Sequence, residues 1–115
     1  MTTQTVYEKV GGEWVSRQEA YVPPAYTPAI GDYESAIQET IDAAAKSRRY
    51  ADGNSMDGYV TSTVPAWAEE AQAFVAWRDN VWQFAYSELA KVQAGEREQP
   101  SVDGFLAELP EIVWP

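Results

Sequence analysis

The sequence contains no cysteine and no histidine. Without cysteine there is no disulfide, no thiolate nucleophile and no Cys-ligated zinc; without histidine the commonest general base and the commonest transition-metal ligand are missing as well. Basic residues are scarce: 8 Lys and Arg stand against 18 Asp and Glu, a formal charge of −10. Such a surface repels phosphate backbones and anionic membranes, so neither nucleic acid nor a membrane is an expected partner. No apolar run approaches the ~20 residues of a membrane span, and the opening MTTQTVYEK lacks the basic and apolar parts of a secretion signal. The expectation is a soluble protein of a reducing compartment. Its 115 residues are enough for one core that buries roughly two-thirds of the unfolded surface.

What the chain does hold is organised in two parts, 1–31 and 32–115. In TVYEKVGGEWV, β-prone runs flank Gly11-Gly12, a dipeptide able to supply the positive φ angles of a tight turn, which predicts a β-hairpin. YVPPAYTPAIG then carries Pro23, Pro24 and Pro28, which forbid a helix and favour an extended arm. The remainder reads as mainly α, a small helical hairpin or bundle with helices at about 33–50, 64–94 and 101–109. Asp32 is the expected cap of the first helix, whose stripe is Tyr33, Ile37, Ile41, Ala44 and Arg48. DGNSMDG breaks that helix and leads into a short helical segment through Tyr59 and Val60. Thr63 before Val64-Pro65 is the expected cap of the long helix, and Gly95 its stop. Ser101 caps a short last helix ended by Pro110, and EIVWP closes the chain.

Steps of 100° along the long helix put Trp67, Ala71, Phe74, Val81, Trp82, Ala85, Leu89 and Val92 on one face. Together with Ile37 and Ile41 and the tail residue Trp114, these are the core candidates. Arg78 falls among them, where a solvated charge is out of place, and so needs a carboxylate, helix-end carbonyls or an aromatic face. Asp42, Asp52 and Asp57 are the candidate partners; Asp79 is less suited, since adjacent helical residues point about 100° apart. Arg48 has the analogous place on the first helix. Both arginines are expected to clamp the 51–63 connection. Trp77 and Phe84 lie on a flank of the stripe and have two readings: a wide core that receives Ile112, Val113 and Trp114, or an exposed aromatic patch for a partner. Tyr7, Trp14, Tyr21 and Tyr26, on the hairpin and arm, are the other partner-binding candidates. Glu69, Glu70 and Asp79 read as a solvated helix face rather than a catalytic carboxylate pair, and DGNSMDG lacks the ligand spacing of an EF-hand. No catalytic, cofactor-binding or metal-ligating residue emerges.

From Ile41 onward, the segments IDAAAKSRRY, YVTSTVPAWAEEAQAFVAWRDNVW and SVDGFLAELPEIVWP resemble a helical domain of small tail-associated proteins of tailed bacteriophages and prophages, of the tail-fibre or tail-assembly type. In that family the position of Arg49 is commonly glycine, and the segment after Tyr50 is more apolar than ADGNSMDG. VGGEWVSRQEAYV resembles one copy of a Gly-Gly-x-Trp repeat of phage tail and fibre proteins. The resemblance implies a place on or around the phage tail, in the virion or in the host cytoplasm during assembly, and implies no catalysis.

The expected function is therefore that of a non-enzymatic structural component, fibre or baseplate associated, acting by protein–protein binding. A chaperone of fibre assembly that does not stay in the virion is the alternative within that setting. An acidic decoy of a host nucleic-acid-binding protein is the alternative outside it, which the net charge permits but the dispersed acids do not favour. Other tail proteins are the expected partners, with homo-oligomerisation also open; no cofactor is implied.

Overall fold

A computed structural model describes residues 3–20 and 27–115. The chain is mainly α. Its order is β1 (Thr3–Val10), β2 (Glu13–Ala20), α1 (Ile30–Ser47), α2 (Gly53–Asp57), a 3₁₀ turn (Gly58–Thr61), α3 (Pro65–Gln93) and α4 (Val102–Leu106). β1 and β2 pair antiparallel from Thr3 opposite Ala20 to Val10 opposite Glu13. Gly11 and Gly12, at φ of +60° and +88°, form the two-residue turn whose twist suits such a ribbon.

α1 starts two residues before the expected cap. Asp32 is not the cap: it sits in the first turn and its carboxylate accepts from the backbone N–H of Ala29 at 2.8 Å. An acid there offsets the unpaired donors of the helix start. Ile30 and Gly31, expected at the end of the extended arm, thus belong to α1, while Tyr21, Pro23, Pro24 and Tyr26 of that expected arm lie outside the described residues. For α3 the cap is Val64 and not Thr63, with Pro65 in the first helical position where its missing N–H costs nothing. The Ser62 hydroxyl accepts from the Val64 N–H at 3.1 Å.

The two long helices end in the same backbone motif. After α3, Gly95 adopts φ +74°, and the N–H groups of Gly95 and Glu96 close onto the carbonyls of Val92 and Lys91. After α1, Arg49 takes φ +73°, and the N–H groups of Arg49 and Tyr50 close onto Lys46 and Ala45. This left-handed stop suits glycine, and an L side chain there costs roughly 1 kcal/mol. Glycine at this position carries no such cost. Arg49→Gly is therefore expected to stabilise the helical body by about 1 kcal/mol, seen as a raised urea midpoint with an unchanged slope. An unchanged or lowered midpoint would mean that the Arg49 side chain recovers the strain.

The core lies between α1, which contributes Tyr33, Ile37, Ile41 and Ala45, and α3, which contributes Ala71, Phe74, Trp77, Val81, Ala85 and Leu89. Tyr86 of α3 donates to Glu34 of α1 at 2.6 Å, so the end of α3 lies beside the start of α1 and the two run antiparallel. Between them, at the other end, sits α2 with Met56 fully buried. Asp52 caps α2 by accepting from Ser55 N–H at 2.8 Å. A Cβ on Gly53 would come within 3.1 Å of the Asp42 carboxylate and 3.4 Å of Ile41 and Phe74; a glycine lets the backbone donate to Asp42 at 3.0 Å.

α4 is shorter than the expected 101–109. Ser101 caps it through Gly104 N–H at 3.0 Å, and it presses Phe105 between Tyr33, edge-on at 5.4 Å, and Phe84, stacked at 6.0 Å. Tyr33 in turn donates to the Pro100 carbonyl at 2.5 Å, and Gln99 donates to that of Pro28 at 2.8 Å. These bonds lash the last loop to the start of α1.

Candidate functional site

The hairpin is built so that directly opposed residues share a face, and the register places Tyr7 opposite Ser16 and Lys9 opposite Trp14. Tyr7 and Trp14 consequently stand on the same face, one diagonal step apart. They are 68 % and 71 % exposed. Val10 and Val15, on the other face by the same register, are exposed too. Among the described residues no hairpin element packs on a helix, and the sheet has two strands only. Each strand is therefore an edge, with half of its N–H and C=O groups free of a strand partner.

The flank of α3 has the opposite fate. Trp77 is 8 % exposed, and its indole N–H donates to the Pro110 carbonyl at 2.7 Å. Trp77 is thus a core residue, not a partner contact. Phe84 is half-buried against the Phe105 ring, so it too is covered from within the chain. Ile112 and Trp114 of the tail pack on the core, whereas Val113 points to solvent at 84 % exposure. This covering displaces the buried arc of α3 toward Trp77. Trp82, expected in the core, is left half-buried at its edge and stacks on Tyr86.

Arg78 is correspondingly at the margin rather than the middle of the core. It donates to Asp57, the last residue of α2, at 2.6 Å. It also donates to Asp79 at 2.9 and 3.2 Å, against the expectation from helical directions. The guanidinium is long enough to fold back over its neighbour. Burial acts to lower its pKa, but the hydrogen bond it donates to Asp79 and the charges of Asp57 and Asp79 outweigh this and raise it. Asp57 Oδ1 is buried with no hydrogen-bond partner among the described residues, so the pair ties α2 to α3 through one carboxylate oxygen.

Arg48 does not bind the 51–63 connection. Its guanidinium lies over the Trp114 ring, 4.5 Å from the centroid, and so holds the tail instead. Trp67, expected in the core, is 50 % exposed: it stands in the first turn of α3, outside the buried cluster, with the 3₁₀ turn and the residues that end α1 beside it. Its ring meets Tyr59 edge-on at 5.9 Å, and Tyr59 meets Tyr50 edge-on at 5.1 Å. These three rings with Arg48 and Arg49 line an open cleft of about 300 Å³. The Tyr50 hydroxyl is held above its ordinary pKa by burial first, then by Glu70 and Tyr59, and therefore remains a neutral donor.

Two groups had no signal in the residue pattern. Arg97 joins Glu88 of α3 at 2.8 Å and also Glu108, while its guanidinium lies 5.6 Å over Phe105; local periodicity says nothing about a loop cation that reaches two helices. The cleft aromatics Tyr50 and Tyr59 sit in irregular backbone, where no stripe exists to reveal them. Among the described residues no group of three or more acidic, His or Cys side chains is gathered to hold a metal, and no helix is long and apolar enough to cross a membrane.

Comparison with protein-family models, with curated proteins and with solved structures finds no match.

Proposed function

We propose that the chain is a non-enzymatic binding protein whose hairpin engages a second protein, and that this partner is a fibre or baseplate protein of a phage tail. The observation that carries the reading is the hairpin: two eight-residue strands with no third strand beside them among the described residues, and Tyr7 and Trp14 exposed together on one face. A two-stranded ribbon alone in water is marginal at best and needs a third strand or an apolar cover. A partner supplies either one, by adding a strand to an edge or by receiving the two aromatic side chains in pockets. The helical body in turn packs Trp77 and Phe84 internally, and its exposed aromatics, Tyr59, Trp67 and Tyr86, are each less exposed than Tyr7 and Trp14. The tail setting rests on the resemblance of AWRDNVW and LPEIVWP to tail-associated proteins and of VGGEWV to a fibre repeat.

The test is site-specific cross-linking. Trp14 replaced by a photo-reactive phenylalanine analogue, in a phage that carries the gene, should join the chain to a fibre or baseplate protein, and Tyr7→Ser should reduce the yield severalfold. Cross-links to no tail protein, in particles or in lysate, would refute the reading. A cross-link found in lysate but absent from purified particles would make the chain an assembly chaperone.

A further inference from the structure

The cleft at the end of α1 lies apart from the hairpin, and its chemistry differs from anything the partner-binding reading uses. We propose that it binds a short acidic peptide segment, the guanidinium groups of Arg48 and Arg49 taking its carboxylates and the Tyr59 and Trp67 rings taking an adjacent apolar side chain.

Charge is the first ground. On a chain of net −10, Arg78 is paired with Asp57 and Asp79, and Arg97 with Glu88 and Glu108. Arg48 and Arg49 stand side by side, and among the described residues neither makes an ion pair. Glu70 is close enough to act on the Tyr50 phenol, yet it bonds neither guanidinium. Both arginines line the cleft, so its rim carries two cations and attracts an anion from outside.

Geometry is the second ground. The Arg48 guanidinium lies over the Trp114 ring, 4.5 Å from the centroid, and among the described residues its N–H donors make no hydrogen bond, which leaves them open to a carboxylate and its paired hydrogen bonds. Arg49 is held in a left-handed conformation, φ +73°, where glycine is the cheaper residue. The helix dipole accounts for a cation near the end of α1, and Lys46 already serves it; it does not account for an arginine at the one strained position. Strain of this kind is retained where a side chain has work to do.

The wall is the third. Trp67 and Tyr59 expose 50 % and 39 % of their surfaces while locked edge-to-face, so a rigid apolar surface borders the cations. At about 300 Å³ the cleft is at the small end of ligand pockets, roughly 300–1,000 Å³, and suits one or two side chains rather than a broad protein face.

The probe is an acetylated and amidated tetrapeptide, Glu-Phe-Glu-Phe, titrated into the full-length protein while the arginine side-chain and Trp67 indole N–H resonances are followed by NMR. Saturable binding at submillimolar to millimolar concentration, on the order of 1 mM or tighter, is expected, weakening with added salt. The glutamine analogue of the peptide should bind about tenfold more weakly or worse. Arg49→Gly is the decisive variant, because it is expected to be more stable than the parent and yet to lose about tenfold in affinity; Trp67→Ala should lose a similar factor. Equal binding of the glutamine peptide, unchanged affinity in Arg49→Gly, or no saturation up to about 5 mM would overturn the proposal. So would saturation of the same resonances by glucuronic acid without response to the peptide, which would assign the cleft to a sugar acid. Concentration-dependent shifts of the cleft in protein alone would make a second copy the occupant and overturn it equally.

Discussion

Phe105→Ala is expected to cost about 3–5 kcal/mol, enough to leave much of the helical body unfolded at physiological temperature, since small domains hold only about 5–15 kcal/mol in total. The cost is large because α4 has no independent stability. Five residues from Val102 to Leu106 do not form a helix in water by propensity, as even favourable peptides need about 12–15. The helix exists because Ser101 caps it and because Phe105, fully buried, joins three elements at once. Its ring receives the edge of Tyr33 from α1 and the face of Phe84 from α3, and it lies under the Arg97 guanidinium. Alanine leaves a cavity that none of the three can fill, for Tyr33 is tethered to the Pro100 carbonyl and Arg97 to two glutamates. Urea unfolding followed by circular dichroism measures the loss. Phe105→Leu should recover most of it, costing less than about 1.5 kcal/mol. A loss under about 1 kcal/mol for the alanine variant would show that α4 is dispensable and that α1 and α3 close the core without it.

Legibility in the sequence followed period and local chemistry, and failed where distant segments decide. Gly11-Gly12 marked the hairpin turn because only glycine takes two successive positive φ angles without strain. The stripe of Tyr33, Ile37 and Ile41 marked α1, and its fourth member proved to be Ala45 rather than Ala44, a one-residue shift well within the width of a helical face. The ends were less legible. Asp32 and Thr63 are good capping types, but a cap is chosen by where the chain enters the helix, and the entry points are Ala29 and Val64. Gly95 announced the end of α3; the identical turn at Arg49 was invisible because the residue that usually reports it is absent.

The candidate site was legible on the hairpin and not in the cleft. Tyr7 and Trp14 were named as aromatic residues of a hairpin that β-prone runs around Gly11-Gly12 mark, a local property. Trp67 was placed in the core because its angle on the α3 helical wheel is that of Phe74 and Ala85, yet a wheel has no axial coordinate. Position along the helix, in the first turn of α3 and ahead of the buried stretch that begins at Ala71, is what exposes it. Arg48 was expected to clamp the 51–63 connection, while its partner is the Trp114 ring from the last residues of the chain. That contact follows from the path of the tail, and EIVWP has no regular structure from which a path is read.

Trp77 decides that path, and Trp77→Ala is expected to cost about 3–5 kcal/mol, with effects that reach the cleft. The indole packs against Phe74, with ring centroids 5.8 Å apart, and bonds the Pro110 carbonyl at 2.7 Å, at the point where the chain leaves the last turn and starts its return across the core. Beyond that bond only Ile112 and Trp114 hold the tail to the body. Trp77→Phe separates the two contributions. It keeps most of the buried ring but removes the donor, leaves the Pro110 carbonyl without its partner and should cost about 1–3 kcal/mol without loss of the helices. In this milder variant the tail is expected to loosen first, seen as faster hydrogen exchange over 110–115 and a more solvated Trp114. Arg48 then loses the ring that orients it, so affinity for the acidic peptide should fall with the tail even though Trp77 is no part of the cleft. Unchanged exchange in the tail of Trp77→Phe would mean that Ile112 and Trp114 suffice as anchors and that the Pro110 bond only follows their lead.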